Sequence, residues 1–104
     1  MNRVTIELWF WLSQELGAGF ESLSEMRSVR QEVVKDSMTI RQLLDHLARR
    51  HPAIARIVFD RKAQRTYPHV VVNYNDRVIS PHVVHDQPLK DGDKITILPM
   101  YMGG

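Results

Sequence analysis

One stretch only, residues 39–52, carries a clear helical repeat, and the strongest of the other periodic segments alternates at two. Ile40, Leu43, Leu44 and Leu47 fall at i, i+3, i+4 and i+7, a single apolar stripe. Thr39 with Gln42 three residues on matches a capping box, and Pro52 stops the run. Arg41, Gln42, Asp45 and Arg49 take the wet side, and Arg49, Arg50 and His51 sit at the end where cations complement the helix dipole. One amphipathic helix must bury its stripe against a sheet. The chain supplies that sheet in Val4, Ile6, Leu8, Phe10 and Leu12, which recur every second residue between Thr5, Glu7, Trp9 and Trp11.

The rest of the chain is read as connections and further strands. Gly17 and Gly19 break the first alternation, and residues 20–28 read as a loop. Val29, Gln31 and Val33 alternate with Arg30, Glu32 and Val34 until Asp36-Ser37. Ile54, Ile57 and Val58 form a short second helix or a covering turn, and residues 60–68 read as a loop. Residues 70–74 are rich in strand formers and end at the turn signal Asn75-Asp76. Val78 and Ile79 begin a short strand, and Pro81 and Pro88 bracket an irregular stretch holding Val83 and Val84. Asp91-Gly92-Asp93 is a tight turn before Ile95, Ile97 and Leu98, and Pro99 ends the last strand. The expected architecture is α+β, one mixed sheet packed on one main helix. That leaves the other sheet face open, with Trp9 and Trp11 either in the core or on that face.

At 104 residues the chain holds one domain. Hydrophobic residues at 43% and charged residues at 25% fit an ordinary folded domain. There are no cysteines, which excludes disulfides, thiolate metal sites and cysteine nucleophiles. A net charge of +2 is too mild a field to imply a nucleic acid or a membrane as partner. The first twenty residues carry Glu7 and Glu15 and lack the apolar run of a secretory signal, so a cytoplasmic protein is expected.

The chain closes on Gly103-Gly104 directly after a core strand. Two glycines at this place arise by chance in roughly half a percent of chains. Without side chains such a tail threads a narrow channel and brings its carboxylate into another protein's active site. An unstructured end with no role is the bland alternative. We divide the chain into a domain of residues 1–99 and a flexible tail of residues 100–104.

Read as an ordered set, these pieces resemble the small sulfur carriers of the ubiquitin-like β-grasp family. Residues 4–17 (VTIELWFWLSQELG) are similar to the family's first strand and turn, and residues 39–52 (TIRQLLDHLARRHP) to its helix. Val70-Val71-Val72-Asn73 looks like its V-x-V-N strand, and residues 89–95 (LKDGDKI) like its L-x-D-G-D segment. Leu98-Pro99 and Gly103-Gly104 complete the likeness, although Met100 stands where the family often has a second proline. The small subunit of molybdopterin synthase and archaeal small modifier proteins are the nearest branches, and the thiamine sulfur carriers resemble a shorter chain.

The resemblance implies a carrier rather than an enzyme. A ubiquitin-activating-type enzyme would adenylate Gly104 with ATP, and a persulfide-bearing sulfur donor protein would convert it to a thiocarboxylate. A larger synthase subunit would then receive the tail. Gly103, Met102, Tyr101 and Met100 would thread or anchor it, with no bound cofactor and no metal. The alternatives are a modifier joined through Gly104 to lysines, and a plain β-grasp interaction domain.

Other constellations are weaker. His82 and His85, with Asp86, lack a third or fourth converging ligand, and with His46, His51 and His69 they read as loop-surface residues. Ser13 and Ser80 lack the elbow of a nucleophile. Residues 49–65 hold Arg49, Arg50, Arg56, Arg61, Lys62 and Arg65 against Asp60 alone, which is either a face for an acidic partner or RNA, or a solvated face. Tyr67 and Phe59 lack the spacing of a base-stacking platform.

Overall fold

The helical repeat forms α1, Ile40–Arg50. Thr39 accepts from the Gln42 amide while the Gln42 side chain accepts from the Thr39 amide, so both halves of the capping box are made. Ile40, Leu43, Leu44 and Leu47 lose all solvent exposure. A second helix, α2 (Pro52–Ile57), follows after the single extended residue His51. Pro52 therefore ends one helix and opens the next, because the first helical position needs no amide proton. The structure is a computed structural model, and it describes residues 1–10, 19–24, 26–79 and 86–100.

The stripe packs on a six-stranded mixed sheet. In chain order its strands are β1 (Asn2–Trp9), β2 (Glu21–Ser22), β3 (Arg27–Val34), β6 (Val70–Tyr74), β7 (Arg77–Val78) and β8 (Lys94–Pro99). The spatial order is β2-β3-β1-β8-β6-β7, with β1 and β8 parallel and the other neighbours antiparallel. Between α2 and β6 lies a separate hairpin of β4 (Phe59–Asp60) and β5 (Arg65–Thr66). Val4, Ile6, Leu8 and Phe10 bury their side chains in the core with the helix stripe, Ile95 and Ile97. Leu12 lies outside the described residues.

Two segments read as loops contain paired strands. Arg27 and Ser28, the end of the first of them, already belong to β3, and Glu21 and Ser22 pair with Val29 and Ser28. Phe59 and Asp60 pair with Thr66 and Arg65. Two-residue strands are too short to show an alternation. Asn75 and Asp76 both take positive φ, 50° and 68°, forming the two-residue turn that joins β6 to β7.

The Asp91-Gly92-Asp93 turn is a structural lock. Asp91 accepts the Arg3 amide at 2.7 Å, and Gly92 sits at φ 87°, where a side chain would be strained. The buried carboxylate of Asp93 accepts from the Tyr74 hydroxyl at 2.5 Å, the Asn75 side chain at 3.0 Å and the Lys90 amide at 2.7 Å. These bonds fasten the start of β8 to the end of β6. Burial pushes the Asp93 carboxyl up, but the donors and the Lys90 charge outweigh it and hold the group below the usual carboxylate range. Burial first, then the Asp93 carboxylate, pushes the Tyr74 phenol up to about 12.

Candidate functional site at the root of the tail

β8 is a central strand, so whatever follows it leaves from the middle of the sheet. The last described residue, Met100, donates its amide to the His69 carbonyl at 2.6 Å. His69 is itself held: its Nε2 lies 2.9 Å from the Ile57 carbonyl, and its ring stacks on Tyr67 at 5.9 Å. Tyr67 donates its hydroxyl to the Ala55 carbonyl at 2.7 Å. A chain of hydrogen bonds thus runs from α2 to the tail root. Met100 borders a shallow apolar groove lined also by Pro68, Val70, Val71, Val78 and Ile79.

The sheet face away from α1 is occupied at this same end. β1 and β8 run parallel, so Trp9 at the end of β1 stands beside the tail root. Leu98 pairs with Val71 and Trp9 pairs with Arg27, all four on the open face. The Trp9 indole N–H donates to Glu7, and Arg27 donates twice to the same oxygen, at 3.1 and 3.0 Å. The Arg27 guanidinium lies 5.0 Å from the Trp9 ring centre. Glu7 is only 4% exposed, a carboxylate covered by its own partners. Trp9 is therefore an open-face residue, half-buried by this cluster; Trp11 lies outside the described residues.

Of the residues assigned to the tail, Met100 is placed as above, and Tyr101, Met102, Gly103 and Gly104 lie outside the described residues. So do Ser13, Ser80, His82 and His85. Among the described residues no group of His, Asp and Glu gathers to hold a metal ion. Of the basic stretch, Arg49 and Arg61 both reach Asp45, at 3.3 and 3.2 Å, and Arg50 lies 3.7 Å from Glu32. Lys62 and Arg65 stand exposed on the β4–β5 hairpin, where Asp60 accepts from the Lys62 and Ala63 amides. Glu32 and Asp45, outside the window read in the sequence, offset part of its charge.

Sequence reasoning missed Glu7, Arg27, His69, Val71 and Leu98. Glu7 was visible as an acid inside an alternating strand. Val71 and Leu98 look like core in a strand pattern, and only the register turns them outward.

His69 lies exposed in a turn, as a loop-surface residue should, but His51 does not. His51 is wedged at the α1–α2 junction against Phe20, ring centres 5.2 Å apart, with its Nε2 buried and without a hydrogen-bond partner among the described residues. Burial first, then Arg50 and Arg30, lowers its pKa, and Glu32 opposes them. The folded state therefore disfavours the imidazolium. Stability is expected to fall as the pH drops below about 6.5, where the unfolded side chain takes up its proton first. Urea unfolding at pH 5 and 7.5 checks this: His51→Phe flattens the difference, and an unchanged pH slope contradicts it.

These features define a class: an α+β protein of the ubiquitin-like β-grasp fold, one mixed sheet packed against one main helix. The ThiS family model matches residues 20–104. The chain belongs to that family, the ubiquitin-like β-grasp sulfur carriers. No curated protein matches the sequence. Among solved structures, small archaeal modifier protein 1 of H. volcanii superposes with a TM-score of 0.71 at 20% identity, over 97% of this chain and 100% of that one. A protein assigned as molybdopterin converting factor subunit 1 from Pyrococcus furiosus gives 0.67 at 20% identity, over 97% and 100%. The Amycolatopsis orientalis BexX/CysO complex contains a chain giving 0.61 at 25% identity, over 97% and 99%. Among the described residues no helix is long and apolar enough to cross a membrane.

Proposed function

We propose that this carrier is adenylated and then thiocarboxylated at Gly104, and that it delivers the sulfur to a synthase of the molybdopterin-synthase type. The observation that supports this best is the di-glycine terminus five residues beyond Pro99, leaving the sheet centre beside an ordered apolar row. In this reading residues 100–104 are the delivery arm, and the domain does the docking.

A carboxylate resists attack because it is negative and would have to expel oxide. Attack of the Gly104 carboxylate on the ATP α-phosphorus expels pyrophosphate and makes an acyl-adenylate. The terminal sulfur of a donor protein's persulfide then attacks the acyl carbon, and AMP leaves. A second thiol attacks the sulfur still bound to the donor. It takes up the donor as a disulfide and leaves the thiocarboxylate. In the synthase that sulfur attacks an electrophilic acceptor carbon and displaces an oxygen leaving group from it, and water then hydrolyses the acyl–sulfur bond, which leaves the sulfur on the acceptor and returns the Gly104 carboxylate.

The carrier contributes placement, the entropic part of catalysis. Gly103 and Gly104 keep the arm slim. Met100, Tyr101 and Met102 anchor its neck, since methionine fits irregular apolar surfaces and tyrosine is favoured at interfaces. The Trp9, Leu98 and Val71 row is the docking patch for the adenylating enzyme and then for the larger synthase subunit.

The likeness to an archaeal modifier protein favours one second reading, in which the activated Gly104 is joined to a lysine amine. The host's adenylating enzyme separates activation from simple binding. Wild-type chain should support ATP–pyrophosphate exchange, and a chain with one residue appended after Gly104 should not. Equal exchange by both, or by neither, removes the reading. Peptides carrying Gly104 on foreign lysines would shift it toward the modifier.

A further inference from the structure

Among the described residues, strand pairing covers only half of the outer edge of β3. β2 pairs with Val29 and Ser28 and goes no further. The Leu23 amide donates to the Arg27 carbonyl, so backbone groups of alternate residues from Arg27 onward point away from β1. Gln31 and Val33 therefore present amide and carbonyl groups that pair with no strand among the described residues. Both are exposed, and Val33 keeps 56% of its surface.

A mainly apolar groove runs beside this edge, between β3 and α1. Its walls are Met1, Val34, Met38 and Leu43, with Lys35 and His46 on the rim. The charge around it is positive. Glu32 at its floor is shared by Arg30 at 2.5 Å, Arg50 at 3.7 Å and His46 at 3.9 Å. Two guanidiniums on one carboxylate leave an excess of positive charge. Nearby Asp36 is taken by the terminal ammonium at 3.3 Å, and Lys35 has no ion pair among the described residues.

We propose that the edge of β3 at Gln31 and Val33, with this groove, docks an extended segment of a partner protein, apolar at alternate positions and flanked by carboxylates. The segment adds as a strand. Its backbone pairs with Gln31 and Val33, one row of its side chains enters the groove, and its acids meet Lys35 and the excess charge around Glu32. The site goes beyond the tail reading. Val33 pairs with Arg3 at the start of β1, at the opposite end of the sheet from the tail root. A partner held here leaves the tail and the Trp9 patch free.

The test titrates the isotope-labelled full chain with an acetylated, amidated octapeptide, Glu-Glu-Val-Ile-Val-Ile-Glu-Glu. The expected result is shifts at Gln31, Val33, Lys35 and Met38, with hydrogen exchange at Gln31 and Val33 slowed at least about tenfold. Val33→Pro removes a donor that points outward, a place where an edge strand tolerates proline, and should weaken binding about tenfold or more. Lys35→Glu, which leaves every strand bond in place, should weaken it several-fold, and so should replacing the peptide's glutamates by lysines. Absence of binding, shifts centred on Trp9 and Leu98, or unchanged affinity in folded variants overturns the proposal. Concentration-dependent protection of Gln31 and Val33 without peptide also overturns it, in favour of a second copy of this chain.

Discussion

Deleting Gly103 and Gly104 should abolish sulfur loading while leaving the fold intact. The residues that fix the tail root, Met100, His69 and Tyr67, all remain. No bond among the described residues depends on the last two positions. The melting temperature is expected to move by no more than about 2 °C, as for a terminal change that touches no core contact. Thiocarboxylate yield, read by intact mass after incubation with ATP, the host's adenylating enzyme and a persulfide donor, should fall below detection. Loading that persists would mean that the acceptor is not the terminal carboxylate. A large drop in melting temperature would mean that the glycines serve the fold.

Asp93→Ala should produce a large loss of stability. The change strips the half-buried Tyr74 hydroxyl and the Lys90 amide of their acceptor and releases Asn75. Orphaned buried donors cost about 1–3 kcal/mol each, so a total near 3 kcal/mol is expected, or roughly 10–20 °C in melting temperature for a domain of this size. Asp93→Asn keeps one acceptor oxygen and should lose less.

The same carboxylate sets an acid limb. Its folded pKa lies below the unfolded one, so its contribution is present above the ordinary carboxylate value and is lost as the pH falls through the folded value. Asp93→Asn should flatten stability in that window. Urea unfolding from pH 2 to 7 checks both statements, and a wild-type-like profile in Asp93→Asn contradicts them.

The parts of the fold that a sequence shows are those with long, one-sided patterns. α1 and β1 were legible because Ile40, Leu43, Leu44, Leu47 and Val4, Ile6, Leu8, Phe10 each repeat over several turns or pleats and face one core. β3 was legible as a strand but not in its facing. Val33 points to the open face and Val34 to the core, and Glu32 is buried on the helix side under three basic partners. A strand with apolar and charged residues on both faces carries no register signal.

The hairpin at β4 and β5 was missed for want of length, and the Tyr67–His69 link because its bonds go to backbone carbonyls of α2. The tail stood out for the opposite reason. Gly103 and Gly104 are read from their place after a core strand, which the sequence shows directly. The patch beside them is a product of register, since Trp9, Leu98 and Val71 meet only when β1, β8 and β6 are laid side by side.

The most direct test of the carrier reading uses the absence of cysteine. The chain is purified from its native host, treated with a thiol-alkylating reagent, and its intact mass compared with that of untreated protein. No side chain offers a thiol, so a sulfur-for-oxygen mass gain and a single alkyl adduct are expected, both mapping to the Gly104 peptide. A Gly104 that stays an unmodified carboxylate, even after exposure to ATP, the adenylating enzyme and a persulfide donor, would contradict it.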